Sequence, residues 1–278
     1  MDSWHYDDVG EPDGIDSDSK FHSGKDAILF LIDVASPEMH EVANSESDDT
    51  RLQMALKCVH TTLRRKILGS PNDVIGVLLF GSENKFRVSD FDHLSLILPL
   101  ETPEAKSIQE IENFTDDLEM LQRDVGKFDS ANGASIHEAL WQCQSLFNDV
   151  KGKVATRRIW LFTTNDNPHS DQPHLKNQAV KKGNDLKDTD ISLEVIPFAS
   201  NFDFSKFYAD VASMEDSDMI PVDSNTEYKP RKLADMLMYV RKRIFKKRSV
   251  GGYNFDLGKG VKIAVSSYNL VQVWQYYL

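Results

Sequence analysis

RRIWLFTTNDNPH, Arg157 to His169, contains an apolar run, Ile159-Trp160-Leu161-Phe162. The run stops in Thr163-Thr164 and passes into Asn165-Asp166-Asn167-Pro168-His169. A short apolar run bounded by turn formers reads as a buried strand followed by a polar turn. An earlier stretch repeats the pattern: Ala27 to Ile32 is apolar and runs out at Asp33. Two buried strands that each end in a carboxylate point to an open α/β sheet. Such sheets hold their ligands beyond the carboxyl ends of the strands.

Outward from these two strands the pattern alternates. Arg51 to Leu68 has Leu52, Ala55, Leu56, Val59, Leu63 and Ile67 near helical spacing. Asp73 to Phe80 reads as a buried strand stopped by Gly81, and Leu94 to Leu98 as a more exposed one. These two, on either side of Gly81 to Leu94, suit an antiparallel edge pair. Helices are expected at Pro103 to Arg123, with proline in the first turn, at Ser135 to Val150, at His174 to Lys187 and at Lys232 to Phe245. Ile191 to Ile196 is a further strand. The order predicts a doubly wound, mostly parallel α/β sheet with helices on both faces. Residues 23–248 are expected to form this domain and 1–22 an acidic disordered tail. Residues 249–278 read as a linker, with Gly251-Gly252 at its centre, and the first strand, Val261 to Tyr268, of something cut short at Leu278.

The chain has 278 residues and a formal charge of -12. That balance argues against the whole chain being a polyanion binder. The charge is unevenly spread: Asp2, Asp7, Asp8, Glu11, Asp13, Asp16 and Asp18 crowd the start, whereas Arg241, Lys242, Arg243, Lys246, Lys247 and Arg248 cluster near the other end. Only two cysteines occur, Cys58 and Cys143, without metal-type spacing, which suits a reducing compartment. No apolar run approaches the ~18 residues of a membrane span.

Several chemistries lack their residues. Neither GxxxxGK[ST] nor GxGxxG is present to cradle phosphates, and no GxSxG turn supplies a nucleophile. His169 and His174 flank a turn without a third ligand at metal-site spacing. A divalent-metal site of the von Willebrand A type needs D-x-S-x-S after the first strand, a threonine from a second loop and an aspartate from a third. Hard cations prefer such oxygen donors. Asp33 stands in place, but Val34-Ala35-Ser36-Pro37-Glu38 follows it. Ser135 or its neighbour Ala134 stands where the threonine belongs, and Asp166 fits the third loop. The expectation is a degenerate site at Asp33, Ser36, Ser135 and Asp166 that holds no metal, with Asp33 bridging neighbouring loops. The basic run Arg241 to Arg248 is open to two readings, contact with phosphates or a solvated helix end favoured by the dipole.

Taken together, SGKDAILFLIDVAS (Ser23 to Ser36), DVIGVLLFGSE (Asp73 to Glu83), ALWQCQSLFNDVKGKVATRRIWLFTTNDNPH (Ala139 to His169), GNDLKDTDISLEV (Gly183 to Val195), FDFSKFYADV (Phe202 to Val211) and SSYNLVQ (Ser266 to Gln272) resemble a known family. It is the N-terminal von Willebrand A-type domain of the Ku heterodimer, in its smaller, seventy-kilodalton subunit. The resemblance implies double-strand break repair by non-homologous end joining, telomere maintenance and a nuclear location. It implies the larger Ku subunit, double-stranded DNA ends and end-joining factors as partners, with no cofactor and no membrane. In that family a β-barrel ring encircles the duplex. The chain is expected to stop at the start of the barrel, so that this domain acts as an interaction scaffold with weak DNA binding. Some members are linked to abasic-site lyase activity through a lysine Schiff base, and Lys20 is the matching position. An exposed lysine in acidic surroundings stays protonated and poorly nucleophilic. A metal-dependent adhesion module is the remaining alternative.

Overall fold

A computed structural model of the chain describes residues 24–44, 47–88, 90–128, 135–199, 201–212, 237–238, 240–241, 244, 249–256 and 262–268. The chain divides into two compact units, the larger spanning Gly24–Phe245. Its elements are β1 (Lys25–Asp33), a hairpin of β2 (Val42–Asn44) and β3 (Ser47–Thr50), α1 (Arg51–Gly69), β4 (Val74–Phe80) and β5 (Leu94–Glu101). Then come α2 (Ala105–Asp116), α3 (Leu118–Val125), α4 (Ile136–Asn148), β6 (Val154–Thr163), α5 (Pro173–Asp188), β7 (Ile191–Pro197) and α6 (Tyr208–Val211).

The five-stranded sheet runs β5-β4-β1-β6-β7. β1 lies at the centre, parallel to β4 and β6, and β7 is parallel to β6. β5 is the antiparallel edge expected from sequence. The period of two along β1 divides the core. Ile28, Phe30 and Ile32 join Trp160, Phe162 and the apolar faces of α1, α2 and α3. Ala27, Leu29 and Leu31 join Ile159, Leu161 and the apolar faces of α4 and α5. From Ala27 to Ile32 β1 is therefore apolar at every position, as a strand covered on both faces must be. Fully burying a side chain such as Phe30 contributes roughly 1.5–3 kcal/mol. Trp160 meets Phe30 edge to face, with ring centroids 5.3 Å apart.

α1 starts where local chemistry says it should. The N–H of Gln53 donates to Thr50 Oγ1 (3.2 Å), and the N–H of Thr50 donates to Gln53 Oε1 (2.9 Å). The helix expected over 103–123 is two helices. Asp117 lies between them, and its carboxylate accepts the N–H groups of Glu119 and Met120, starting α3 afresh. β5 is also buried along most of its length, against expectation, because its two faces feed the two cores. Pro99 within it removes a donor on an edge strand, where that loss is tolerated.

The linker reading of residues after Arg248 gives way as well. In the second unit Ser249–Asp256 forms β8, which carries Gly251 and Gly252 and pairs antiparallel with β9 (Lys262–Tyr268). The expected strand is thus the second of a pair. The acidic tail lies outside the described residues. So does most of the helix expected over 232–245, of which Leu237, Met238, Val240 and Arg241 are described and helical.

Candidate functional site

The order of strands reverses beside β1: the chain winds outward through β4 and β5, then returns to β6 and β7. The crevice at the carboxyl ends of β1 and β6 is the topological switch point, where ligands of such folds bind. Asp33 ends β1 there, and Thr163 ends β6.

Asp33 is buried, and its carboxylate is engaged by the protein itself. Oδ1 accepts the N–H groups of Ala35 (3.1 Å) and Ser36 (3.3 Å). Oδ2 accepts the hydroxyls of Ser36 (2.9 Å) and Thr163 (2.7 Å). Burial pushes the Asp33 carboxyl above its ordinary value, and the hydrogen bonds from Thr163, Ser36 and Ala35 oppose that shift. Tyr208 of α6 lies against the same group. Its hydroxyl is held well above its usual value, first by burial and then by the negative charge of Asp33.

Asp166 is occupied differently. Its Oδ2 accepts Lys206 Nζ at 2.6 Å and the N–H of Asp203 at 3.2 Å. The segment carrying these groups is fixed in turn. Lys176 Nζ of α5 donates to the Lys206 carbonyl (2.7 Å), and Phe202, Phe204, Phe207 and Tyr208 form a chain of ring contacts beneath it. Ser135 is buried at the start of α4, but its hydroxyl has no partner among the described residues and does not cap the helix. Instead the N–H of Ile136 donates to His169 Nε2 (3.3 Å).

The structure therefore joins Asp33 with Ser36, leaves Ser135 without a bond to either, and ties Asp166 to a lysine. Sequence reasoning sought a threonine in the second loop. The threonine that reaches Asp33 is Thr163, at the carboxyl end of β6. This donor set does not fit a divalent cation. One carboxylate already accepts four hydrogen bonds, and the other is neutralised by an ammonium. Among the described residues no group of three or more His, Cys, Asp or Glu is placed to hold a metal ion.

The His169 contact has a pH signature. Accepting an N–H requires Nε2 to be unprotonated, so the ring proton sits on Nδ1. Burial, and secondarily the charge of His174, pull the imidazole below its ordinary value of 6.5. The neutral ring's contribution to stability is complete above that unfolded value and is lost as pH falls through the lowered folded one. The urea midpoint of the wild type is expected to drop more than that of His169→Gln between about pH 7.5 and about pH 5.5. Equal drops would remove the acceptor role.

Of the basic run, Arg241 is described and exposed. Lys242, Arg243, Lys246, Lys247 and Arg248 lie outside the described residues, as does Lys20. At the opposite end of the sheet lies a cluster that sequence reading missed. Lys66 of α1 is fully buried and reaches Asp73 at 2.5 Å and Asp26 at 3.4 Å. The N–H of Asp26 donates to Asp73 Oδ1 (2.8 Å), and the Thr156 hydroxyl donates to Asp26 Oδ1 (2.7 Å). Arg158 of β6 stands 3.9 Å from Asp26 and donates to the carbonyl of Ile244 at 3.1 Å. The available signal was the presence of Asp26 and Asp73 at strand starts, where buried strands rarely tolerate an unpaired charge.

The Ku70/Ku80 N-terminal alpha/beta domain family matches residues 27–250. "X-ray repair cross-complementing protein 6" of Mus musculus is 32% identical over 255 residues, covering 90% of this chain and 41% of that protein. "ATP-dependent DNA helicase 2 subunit 1" of Rhipicephalus appendiculatus is 29% identical over 278 residues, covering 97% of this chain and 43% of that one. The chain thus spans less than half the length of these curated relatives. Among solved structures, the SpRpn10 VWA domain superposes with a TM-score of 0.47 at 15% identity, over 68% of this chain and 83% of that one. That likeness is too loose to carry any part of the assignment. The matched span takes in the central sheet, both flanking cores and the closed crevice above β1, and on that basis this chain belongs to the family of Ku70/Ku80 N-terminal alpha/beta domains.

Proposed function

We propose that this chain is the N-terminal part of the smaller subunit of a Ku DNA-end-binding heterodimer, where it serves as a protein-interaction scaffold. In this reading it works beside the larger Ku subunit in the nucleus, in double-strand break repair by end joining and in telomere maintenance. The observation that carries the reading is the family match over residues 27–250, together with relatives named for cross-complementing repair and DNA helicase subunits. The crevice supports a scaffold over a metal-dependent adhesion module, because the acceptors of Asp33 and Asp166 are spent on internal donors. A lyase role for Lys20 gains no support from the described residues.

The basic run Arg241, Lys242, Arg243, Lys246, Lys247 and Arg248 is the proposed DNA-facing element. Binding of a blunt duplex, followed by fluorescence anisotropy across a salt series, tests it. Each phosphate contact adds about -0.9 to the slope of log affinity on log salt. If all six side chains meet phosphates, the slope is about -5, and affinity falls about a thousandfold between about 50 and about 200 mM salt. Reversing all six charges is expected to abolish the binding. Binding that survives the reversal, with its slope intact, would place the DNA elsewhere.

A further inference from the structure

Among the described residues two lysines are buried, Lys66 and Lys182. Lys66 is shared by Asp26 and Asp73. Lys182 of α5 is 6% exposed, and among the described residues no carboxylate stands within ion-pair distance of its nitrogen. Ala179 and Leu186, three positions before it and four after, are fully buried on the same helix face, so its stem runs over the core beneath α5. The nitrogen donates to Gln144 Oε1 of α4. Gln144 is oriented in turn by its own donation to Thr189 Oγ1 at 3.3 Å. The Lys182 nitrogen also lies over the Trp141 ring, 5.8 Å from the centroid. Trp141, one turn before Gln144 on α4, is 40% exposed and meets the Phe91 ring at 77°. The indole thus carries the seam between α4 and α5 to the surface. An amide oxygen orients an amine without supplying the negative charge that would hold it as an ammonium. Burial pulls Lys182 below its ordinary value, and the charge of Asp185 opposes that shift. A desolvated lysine without a counter-charge is the nucleophilic kind.

We propose that Lys182 is a carbonyl-reactive amine that captures small aldehydes as Schiff bases, with Trp141 and Phe91 as the platform for an apolar or aromatic body. The nitrogen lone pair attacks the carbonyl carbon, and a C–N bond forms as the π pair moves to oxygen. A proton passes from nitrogen to that oxygen, and loss of water leaves the imine. Gln144 is a positioning residue in this site: it holds the amine without charging it. Neither Lys20 nor the basic run takes part, so the site stands apart from the DNA-facing reading.

The full chain is incubated with benzaldehyde and, separately, with propionaldehyde, each with sodium cyanoborohydride, which reduces the imine to a stable secondary amine. Peptide mapping by mass spectrometry gives a rate for each lysine. With benzaldehyde, Lys182 is expected to react about tenfold faster than its exposed neighbour Lys181. With propionaldehyde the lead shrinks to about threefold, because no ring rests on Trp141. Gln144→Glu supplies the missing charge and leaves the amine in place. It is expected to slow Lys182 about tenfold without changing Lys181. Asp185→Asn, at an exposed position, removes the opposing charge and is expected to speed Lys182 about twofold, and it keeps the test open if Gln144→Glu does not fold. A wild-type rate at or below that of Lys181 overturns the proposal whatever the variants do. So does a folded Gln144→Glu that reacts like the wild type, or an Asp185→Asn that shows no gain, because access alone would then set the rate. Equal leads for the two aldehydes overturn the role given to Trp141.

Discussion

Lys66→Met is expected to lower the unfolding free energy by about 3–5 kcal/mol, the usual cost of removing one partner from a buried ion pair. The residue is completely buried, and its ammonium is shared between Asp73 and Asp26, themselves almost wholly enclosed. Met matches the apolar stem and adds no clash, so the loss reports the charge. Two carboxylates then stand together without the Lys66 ammonium, with Arg158 3.9 Å from Asp26. A domain of this size has roughly 5–15 kcal/mol in total, so the change consumes a large share of it. Urea unfolding followed by tryptophan fluorescence measures it through a shifted midpoint at constant slope. The triple variant Lys66→Met, Asp26→Asn, Asp73→Asn should recover part of the loss, because the desolvated charges go with their partner. A loss under about 1 kcal/mol would mean that water reaches the cluster, as it does in exposed pairs.

Gly81→Ala is the second large effect, about 2–4 kcal/mol, from backbone strain added to overpacking. Gly81 follows β4 with φ +93°, a conformation that L side chains rarely adopt. A Cβ there would stand 2.4 Å from Ala35 Cβ and 2.7 Å from Ala35 N. The obstacle is backbone, in the turn whose N–H groups at Ala35 and Ser36 hold Asp33. Relief of the clash therefore has to disturb the crevice. Gly152→Ala is the control. Its φ of +86° carries similar strain, but the nearest atom to its added Cβ is Lys25 Nζ at 3.9 Å, the end of a flexible side chain. The melting temperature of Gly81→Ala is expected to fall clearly below that of Gly152→Ala. Equal values would show that close approach contributes nothing.

The legible part of the fold was the part written in periodicity. The apolar runs ending at Asp33 and Phe162 became the two central strands because they are covered on both faces, which demands apolar residues at every position. α1 was legible from its stripe. The break between α2 and α3 was not, because Asp117 caps a helix only when its backbone leaves helical geometry, and nothing in the spacing of apolar residues records that. β8 was missed for a related reason. Two adjacent glycines suggest freedom in an isolated stretch, but pairing with β9 supplies partners from outside it.

In the candidate site, the sequence by itself determined that a carboxylate would end β1 and that the hydroxyl spacing after it was wrong for a cation. Both follow from residue types at short range. Only the tertiary structure decided what those carboxylates do instead. Thr163 meets Asp33 across 130 positions, Lys206 meets Asp166 across 40, and Lys66 meets Asp26 across 40. Such pairings are set by which strands the sheet places side by side and by which charges burial leaves no alternative but to join. Burial makes an unpaired charge costly whatever its place in the chain, so the choice of partner belongs to the folded shape.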